Sequence, residues 1–249
     1  MIEQRPRLKA LQRRLRGVKG RLLWVLVAFG LGSSLTWYFR KTILLWLLLP
    51  AGGQLSATGR PVFTSPTEMF NLAFHLAILG GVVLAFPMLV FQAYLFLRPL
   101  LSKRLGRLIA IFLPAVFVFF LCGTVFAYFV LLPTGLRFLL QFGTDAADPM
   151  IRITEYADLA LAMLFWLGVV FELPLAMFLL VKLRIVSYQR FPRFQKYVPL
   201  TALFFGAILT PSFDPVTSLL IAVPIIFLYE FGLFLAWMAR PKQRKPRRV

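Results

Sequence analysis

Long apolar runs separated by short basic segments dominate the pattern of the chain. A helix crosses a bilayer core of about 30 Å with roughly 20 apolar residues, and most of the runs approach or exceed that length. The pattern predicts an all-α integral membrane protein with six transmembrane helices, at residues 22–39, 69–97, 108–133, 156–181, 197–210 and 216–239. The fifth run is short, and the turn-rich sequence Thr210-Pro-Ser-Phe-Asp-Pro215 that follows it favours a helical hairpin with the sixth.

The distribution of Lys and Arg predicts the orientation of these helices. Of the 28 basic residues, 23 lie in residues 1–21, 98–107, 182–196 and 240–249, and five lie in the alternate connections. Because cytoplasmic segments of membrane proteins carry the excess of Lys and Arg, we expect the N-terminus and the C-terminus to be cytoplasmic. The predicted organisation is a basic segment (1–21), a six-helix transmembrane domain (22–239) and a basic tail (240–249).

The N-terminal basic segment also carries an apolar stripe. Apolar residues recur there at three- or four-residue spacing, with Lys and Arg on the other face: Leu8, Leu11, Leu15, Val18 and Leu22. This pattern is typical of an amphipathic helix that lies on anionic lipid headgroups. The alternative is that these charges only set the orientation of the first span.

The composition excludes several classes of protein. Hydrophobic residues make up 60% of the chain and charged residues 15%, whereas soluble domains carry about 25% charged residues. The net charge of +19 lies in short blocks between apolar runs, so we expect no nucleic-acid partner. One Cys and one His exclude an intrachain disulfide and a His/Cys zinc site. Since the sequence has no Ser–His–Asp set, phosphate-binding loop or paired carboxylates, we expect neither enzymatic activity nor a cofactor.

Glu172 is the sharpest candidate for a functional residue. It lies ten residues, or about 15 Å of helix, before Lys182 at the end of the fourth run. A carboxyl group at that depth needs a partner or water, so Glu172 is either a polar contact for a partner helix, a proton relay, or internally tethered to Gln92, Thr124 or a similar group. Glu230, in the sixth run, is expected to be a second polar contact or to pair with a basic residue near the interface.

Prolines and helix-start signals predict further structural features. Pro87, Pro114, Pro174 and Pro224 lie inside four of the runs, where proline removes a backbone hydrogen bond and usually kinks the helix. Kinked helices of this kind can build a concave bundle. Two outer turns carry helix-start signals, the first with Pro66 and Glu68 after Ser65, the second with Pro211 and Asp214 before Pro215.

Seven motifs in order give the chain a family resemblance. They are Ser65-Pro-Thr-Glu-Met-Phe70, Ala85-Phe-Pro-Met-Leu-Val-Phe-Gln92, Phe96-Leu-Arg-Pro99, Ala127-Tyr-Phe129 with Pro133, Ile153-Thr-Glu-Tyr156, Phe171-Glu-Leu-Pro174, and Leu209-Thr-Pro211 with Asp214-Pro215 and Tyr229-Glu230. With this topology, the chain resembles the TatC family, the multispanning core subunit of the twin-arginine protein translocase. The resemblance covers about residues 62–238, with a weaker N-terminal part.

The resemblance implies a receptor that binds the twin-arginine signal peptides of folded export substrates from the cytoplasm. Such a receptor gathers small single-span subunits (TatA- and TatB-like), uses the proton-motive force, and assembles with itself or with a second TatC-like chain. It would lie in a bacterial or archaeal cytoplasmic membrane, or in a thylakoid. By this resemblance Glu172 contacts partner helices, Phe96, Pro99 and Lys103 belong to the signal-peptide surface, and Asp214 belongs to the last outer turn.

The chain departs from the family pattern at two acids of the signal-peptide surface. Family members usually carry a Glu in the N-terminal segment and another in the first cytoplasmic loop, where this chain has Gly17 and Leu105. Carboxylates bind guanidinium groups in two-pronged pairs, whereas this loop holds Lys103, Arg104 and Arg107. Three explanations stay open: Glu3 substitutes, a second TatC-like chain supplies the acids, or the signal differs from the twin-arginine pattern.

Two other functions compete with the translocase receptor at this point. A proton-coupled transporter of small anions would use Glu172 as its relay and the basic loops as attractors. A TatC-like paralogue that only assembles partners would bind the single-span subunits without binding signal peptides.

Overall fold

The computed structural model of the chain describes residues 4–51, 65–98, 103–141, 152–209 and 215–240, with side chains from residue 20 onwards except at a few helix ends. Within these ranges the regular structure is helical, as expected where lipid satisfies no backbone polar group. The helices are α1 (Gln4–Tyr38), α2 (Arg40–Leu48), α3 (Pro66–Leu97), α4 (Lys103–Phe126), α5 (Leu132–Gln141), α6 (Ile153–Val170), α7 (Leu173–Lys182), α8 (Arg190–Phe194), α9 (Val198–Leu209) and α10 (Pro215–Met238).

Five stretches of the described chain are long and apolar enough to cross a membrane. They are Gly20–Tyr38, Thr67–Phe96, Leu105–Phe138, Ile153–Lys182 and Thr217–Met238. These stretches correspond to the predicted first, second, third, fourth and sixth spans, which confirms an all-helical membrane protein. The predicted fifth span is α9, whose 12 residues extend only about 18 Å, so six spans stay a prediction. The concave form expected from the prolines also stays a prediction.

The chain divides into two compact units. The first contains α1, most of α2, α3 and the first half of α4. Here α1 packs along α3 through small residues: a Cβ added at Gly80 would lie 2.5 Å from Cγ2 of Thr36. The buried Thr36 hydroxyl donates a hydrogen bond to Gly32 O at 2.9 Å. Small residues that let two backbones approach are the usual contact between membrane helices. The helix α1 also continues without interruption across the predicted boundary at residues 21 and 22.

The second unit contains the rest of α4 and the helices α5 to α10. In it α10 packs against both α7 and α9. A Cβ added at Gly206 of α9 would lie 2.5 Å from the backbone oxygen of Ser218 in α10, so the two backbones are in close contact. This contact is the one that the predicted hairpin requires, although its connecting turn lies outside the described residues.

The third span contains a turn that the sequence analysis did not predict. Residues Ala127–Leu131 form a π-helical turn, in which the Leu132 N–H donates to Ala127 O, five residues earlier. Pro133 follows at once and has no N–H to continue the α-helical ladder. The turn accommodates this loss, and α5 then continues to Gln141, beyond the predicted end at residue 133.

Candidate functional site

In the fourth span the α-helical hydrogen bonding is interrupted at Phe171 and Glu172, just before Pro174. The helix α6 ends at Val170 and α7 begins at Leu173, while Phe171 and Glu172 between them keep right-handed helical dihedral angles. The cause is the proline ring, which clashes with the carbonyl four residues earlier and cannot donate to it; that carbonyl belongs to Val170. The kink expected at Pro174 stays a prediction. Across the break, the Glu172 N–H donates to Val169 O at 3.1 Å, and Glu172 O accepts from the Ala176 N–H at 2.8 Å. The sequence thus places the carboxyl in an interruption of an apolar span.

Close helix contacts hold this break in place. A Cβ added at Gly168 would lie 2.6 Å from the ring of Phe120, and one added at Gly123 would lie 2.8 Å from the ring of Phe171. On the α10 side, a Cβ added at Gly232 would lie 3.2 Å from the Cα of Pro174. The residues around Glu172 are therefore fixed by backbone approaches that only glycine permits.

The Glu172 carboxyl is only partly satisfied inside the chain. Its buried Oε1 has no hydrogen-bond partner among the described residues. The predicted tether to Thr124 is not made, because that hydroxyl donates to Phe120 O at 3.1 Å and to Leu164 O at 3.4 Å. An unpaired carboxyl oxygen in an apolar span is a group that a polar side chain of another helix can satisfy.

A second candidate region lies at the end of α3, around Phe96. The Arg21 guanidinium lies 5.9 Å from the centroid of the Phe96 ring, and this ring is 48% exposed. Beside it, Gln92 is 8% exposed and its Oε1 has no partner among the described residues. Arg21, Gln92 and Phe96 line a shallow cavity of about 170 Å³ with Leu22 and Val25. The surface therefore combines an aromatic ring, a free amide acceptor and a cation.

The structure locates the other predicted signal-peptide residues only in part. Gly17 lies in α1, one helical turn before Arg21, and Lys103 is the first residue of α4. Leu105 is half-buried next to Gly106, whose carbonyl accepts a hydrogen bond from the Tyr94 hydroxyl at 3.1 Å. This bond fixes the start of α4 to the last turns of α3. Pro99 lies outside the described residues.

The helix start predicted at Ser65, in the expected first outer turn, is present. Pro66 is the first residue of α3, and Ser65 is its N-cap, with its hydroxyl accepting from the Thr67 N–H at 3.4 Å. Glu68 lies in the first turn and is 4% exposed, where the helix dipole favours a carboxylate. Pro211 and Asp214, of the last outer turn, lie outside the described residues. Pro87, Pro114 and Pro224 lie inside α3, α4 and α10, where their kinks stay predictions.

Some residues of interest were missed by the sequence analysis. Gln195 was not singled out, although its side-chain amide donates to Glu230 Oε1 at 2.7 Å. The role predicted for Glu230 as a polar contact or as the partner of a basic residue stays a prediction. Gly123, Gly168 and Gly232 were not singled out, although small residues in apolar runs are the known signal for close helix packing. The partners of these glycines depend on which helices are neighbours, and the sequence alone does not provide that information.

Comparison with known proteins assigns the family. Residues 13–224 match the family model described as Sec-independent protein translocase protein (TatC). The chain is 35% identical to the protein of that name from Carboxydothermus hydrogenoformans, over 87% of this chain and 88% of the relative. It is 33% identical to the one from Koribacter versatilis, over 93% of this chain and 86% of the relative.

A solved structure agrees with these sequence matches. The fold superposes on a crystal structure of the twin-arginine translocase receptor TatC with a TM-score of 0.79 and 30% identity, covering 91% of this chain and 99% of the other. The chain therefore belongs to the TatC family of Sec-independent protein translocase proteins.

Proposed function

We propose that this chain is the core receptor subunit of a twin-arginine translocase in a bacterial cytoplasmic membrane. The observation that carries the proposal is its similarity, over nine tenths of its length, to a solved receptor of that translocase. The same similarity favours export of folded proteins over transport of small anions. The chain acts as a transport subunit, and we propose that the proton-motive force drives the transport.

The proposed topology has six spans with both termini in the cytoplasm. The excess of Lys and Arg in alternate connections supports this orientation. The close contact of Gly206 with Ser218 supports a hairpin of α9 and α10, in which the short α9 crosses a locally thinned bilayer or ends below its surface.

We propose that Glu172 is the contact point for small single-span subunits (TatA- and TatB-like). Its unpaired Oε1 supports this role, because a polar side chain on a passing helix gains a hydrogen bond in a medium without water. Fixed packing on the α4 and α10 sides supports it further, since a positioned group loses little entropy on binding. A second copy of this chain, or a second TatC-like chain, completes the proposed assembly.

We propose that the surface around Phe96 receives the signal peptide. The exposed ring offers a stacking face for an arginine side chain. The Gln92 amide oxygen offers an acceptor without the charge of a carboxylate. Because Gly17 and Leu105 replace the usual acids and Arg21 adds positive charge, the main electrostatic attraction comes from acids of a second chain.

Site-specific crosslinking tests this proposal. A photoreactive residue at position 96 or 105 of the full chain is exposed to a twin-arginine signal peptide, with a twin-lysine peptide as the control. We expect a crosslink with the twin-arginine peptide that the twin-lysine peptide does not give, and that strengthens when a TatC-like chain with both acids is added. If neither position crosslinks while partner subunits still bind, the receptor role is wrong and the chain is an assembly scaffold.

A further inference from the structure

The end of α7 carries a feature that the receptor function does not use. Arg184 has a φ of 59°, in the left-handed region that favours glycine. The Arg184 N–H donates to Val181 O and the Ile185 N–H to Leu180 O, both at 3.0 Å. These two bonds form the Schellman motif that ends many helices, and the left-handed position in it is usually glycine. A strained position of this kind is a reason to examine what the side chain that occupies it can do.

This arginine lines a cavity at that end of the second unit. The cavity has a volume of about 520 Å³ and is lined by Arg184, Arg240, Ser187, Tyr188, Gln189, Val181 and Val186. The Arg240 guanidinium lies 3.3 Å from the centroid of the Tyr188 ring. Stacking on the ring restrains the orientation of the guanidinium plane. We call this cavity the Arg184–Arg240 pocket.

The charge of the pocket is unbalanced. Among the described residues, no carboxylate lies within ion-pair distance of Arg184 or Arg240, and the sequence holds no Asp or Glu between Glu172 and Asp214. Two arginines, a serine and a glutamine line the same cavity. This donor set matches a phosphate group, whose oxygens accept paired N–H bonds from arginine.

The position of the pocket distinguishes a lipid from a soluble phosphate. It lies where two candidate spans end, at Lys182 and Met238, which is the level of lipid headgroups. Val181 and Val186 line it, and the neighbouring Ile185 is 63% exposed. Inorganic phosphate gains no binding energy from this apolar border, whereas the upper part of a phospholipid acyl chain would pack against it.

We propose that the Arg184–Arg240 pocket binds the phosphodiester headgroup of an anionic phospholipid. Basic pockets at the ends of membrane helices are a recurrent site for such headgroups. This inference does not depend on signal-peptide binding or on Glu172, and it concerns a different part of the chain from the predicted N-terminal lipid contact.

Lipid retention tests the proposal. The full chain is purified in an uncharged maltoside detergent, mixed with phosphatidylglycerol or phosphatidylcholine, and analysed by native mass spectrometry. Arg184→Gly removes one guanidinium and also relieves the left-handed strain. We expect it to raise the unfolding temperature while weakening phosphatidylglycerol retention by about fivefold, the usual effect of one basic residue near a headgroup. A purely structural arginine would give the first change without the second.

Matched variants complete the test. Arg193→Gln removes the same charge from the same basic connection, but Arg193 does not line the pocket, so we expect retention within about twofold of wild type. Arg240→Gln should resemble Arg184→Gly, and Arg240→Lys should restore part of the retention. Equal retention of both lipids, or an equal loss in Arg193→Gln, would overturn the proposal. Complete displacement of the lipid by millimolar inorganic phosphate would overturn the lipid assignment and indicate a soluble phosphate site.

Discussion

The Glu172 break and the Phe96 surface are both places where a span offers a polar group, but they are built in different ways. Around Glu172, glycine contacts bring helices so close that the backbone has one arrangement, and the polar group is a buried carboxyl oxygen. Around Phe96, the side chains are exposed and the cavity is shallow. Packing therefore holds the structure around Glu172, and we expect changes of side-chain volume to disrupt it. Around Phe96 we expect changes of charge to alter peptide affinity.

The largest effect is expected from Gly168→Leu. The new side chain would occupy the position of the Phe120 ring, which is 1% exposed and has little room to move. Overpacking of this kind costs about 1–3 kcal/mol, and thermal unfolding in detergent measures it. Gly30→Leu is the matched control, because a Cβ there meets nothing within 4 Å. Equal unfolding temperatures for the two variants would show that packing does not fix the break.

A smaller loss is expected from Glu172→Ala, in partner binding rather than in stability. Without the carboxyl, the passing helix loses one intramembrane hydrogen bond, and co-purification of the single-span subunits should fall by about tenfold. Glu155→Ala is the control: it removes an exposed carboxylate of α6 that pairs with Arg152 at 3.8 Å. Normal recovery of partners with Glu172→Ala would remove the assignment of this site.

The sequence predicted where the membrane-spanning helices lie along the chain better than it predicted the contacts between them. Hydropathy located α3, α6 with α7, and α10 to within a few residues, since a helix in lipid must be long and apolar. The interruption after Val170 also follows from Pro174, because proline removes the hydrogen bond to the carbonyl four residues earlier. The contacts of Gly123, Gly168 and Gly232, and the position of Arg21 over Phe96, are tertiary and have no local signal. The left-handed Arg184 was missed because arginine gives no indication of a positive φ.

For the Phe96 surface, we expect a gain from restoring the missing acids. Gly17→Glu combined with Leu105→Glu adds two carboxylates near the predicted signal-peptide residues and offsets the charge of Arg21. Exposed ion pairs contribute up to about 1 kcal/mol each, so the affinity for a twin-arginine peptide should rise by about fivefold or more, measured by fluorescence titration. The neutral pair Gly17→Gln and Leu105→Gln controls for side-chain size. A similar gain with the glutamines, or no gain with the acids, would contradict the alignment of these positions.

The smallest effect is expected from Phe96→Leu, which keeps an apolar side chain and removes the ring. Two consequences act in the same direction: the signal peptide loses a stacking face, and the Arg21 guanidinium loses the ring over which it lies, so its positive charge is less restrained. Exposed cation–π contacts contribute about 0.5–1 kcal/mol, and the twin-arginine affinity should fall by about two- to fivefold. Phe91→Leu is the control, because Phe91 is a similarly exposed phenylalanine of the same helix and does not line the cavity with Gln92. If both variants weaken binding equally, the surface attracts the peptide through general apolar contact. Charge would then not tune the Phe96 surface, and its contrast with the packing-determined Glu172 region would not hold.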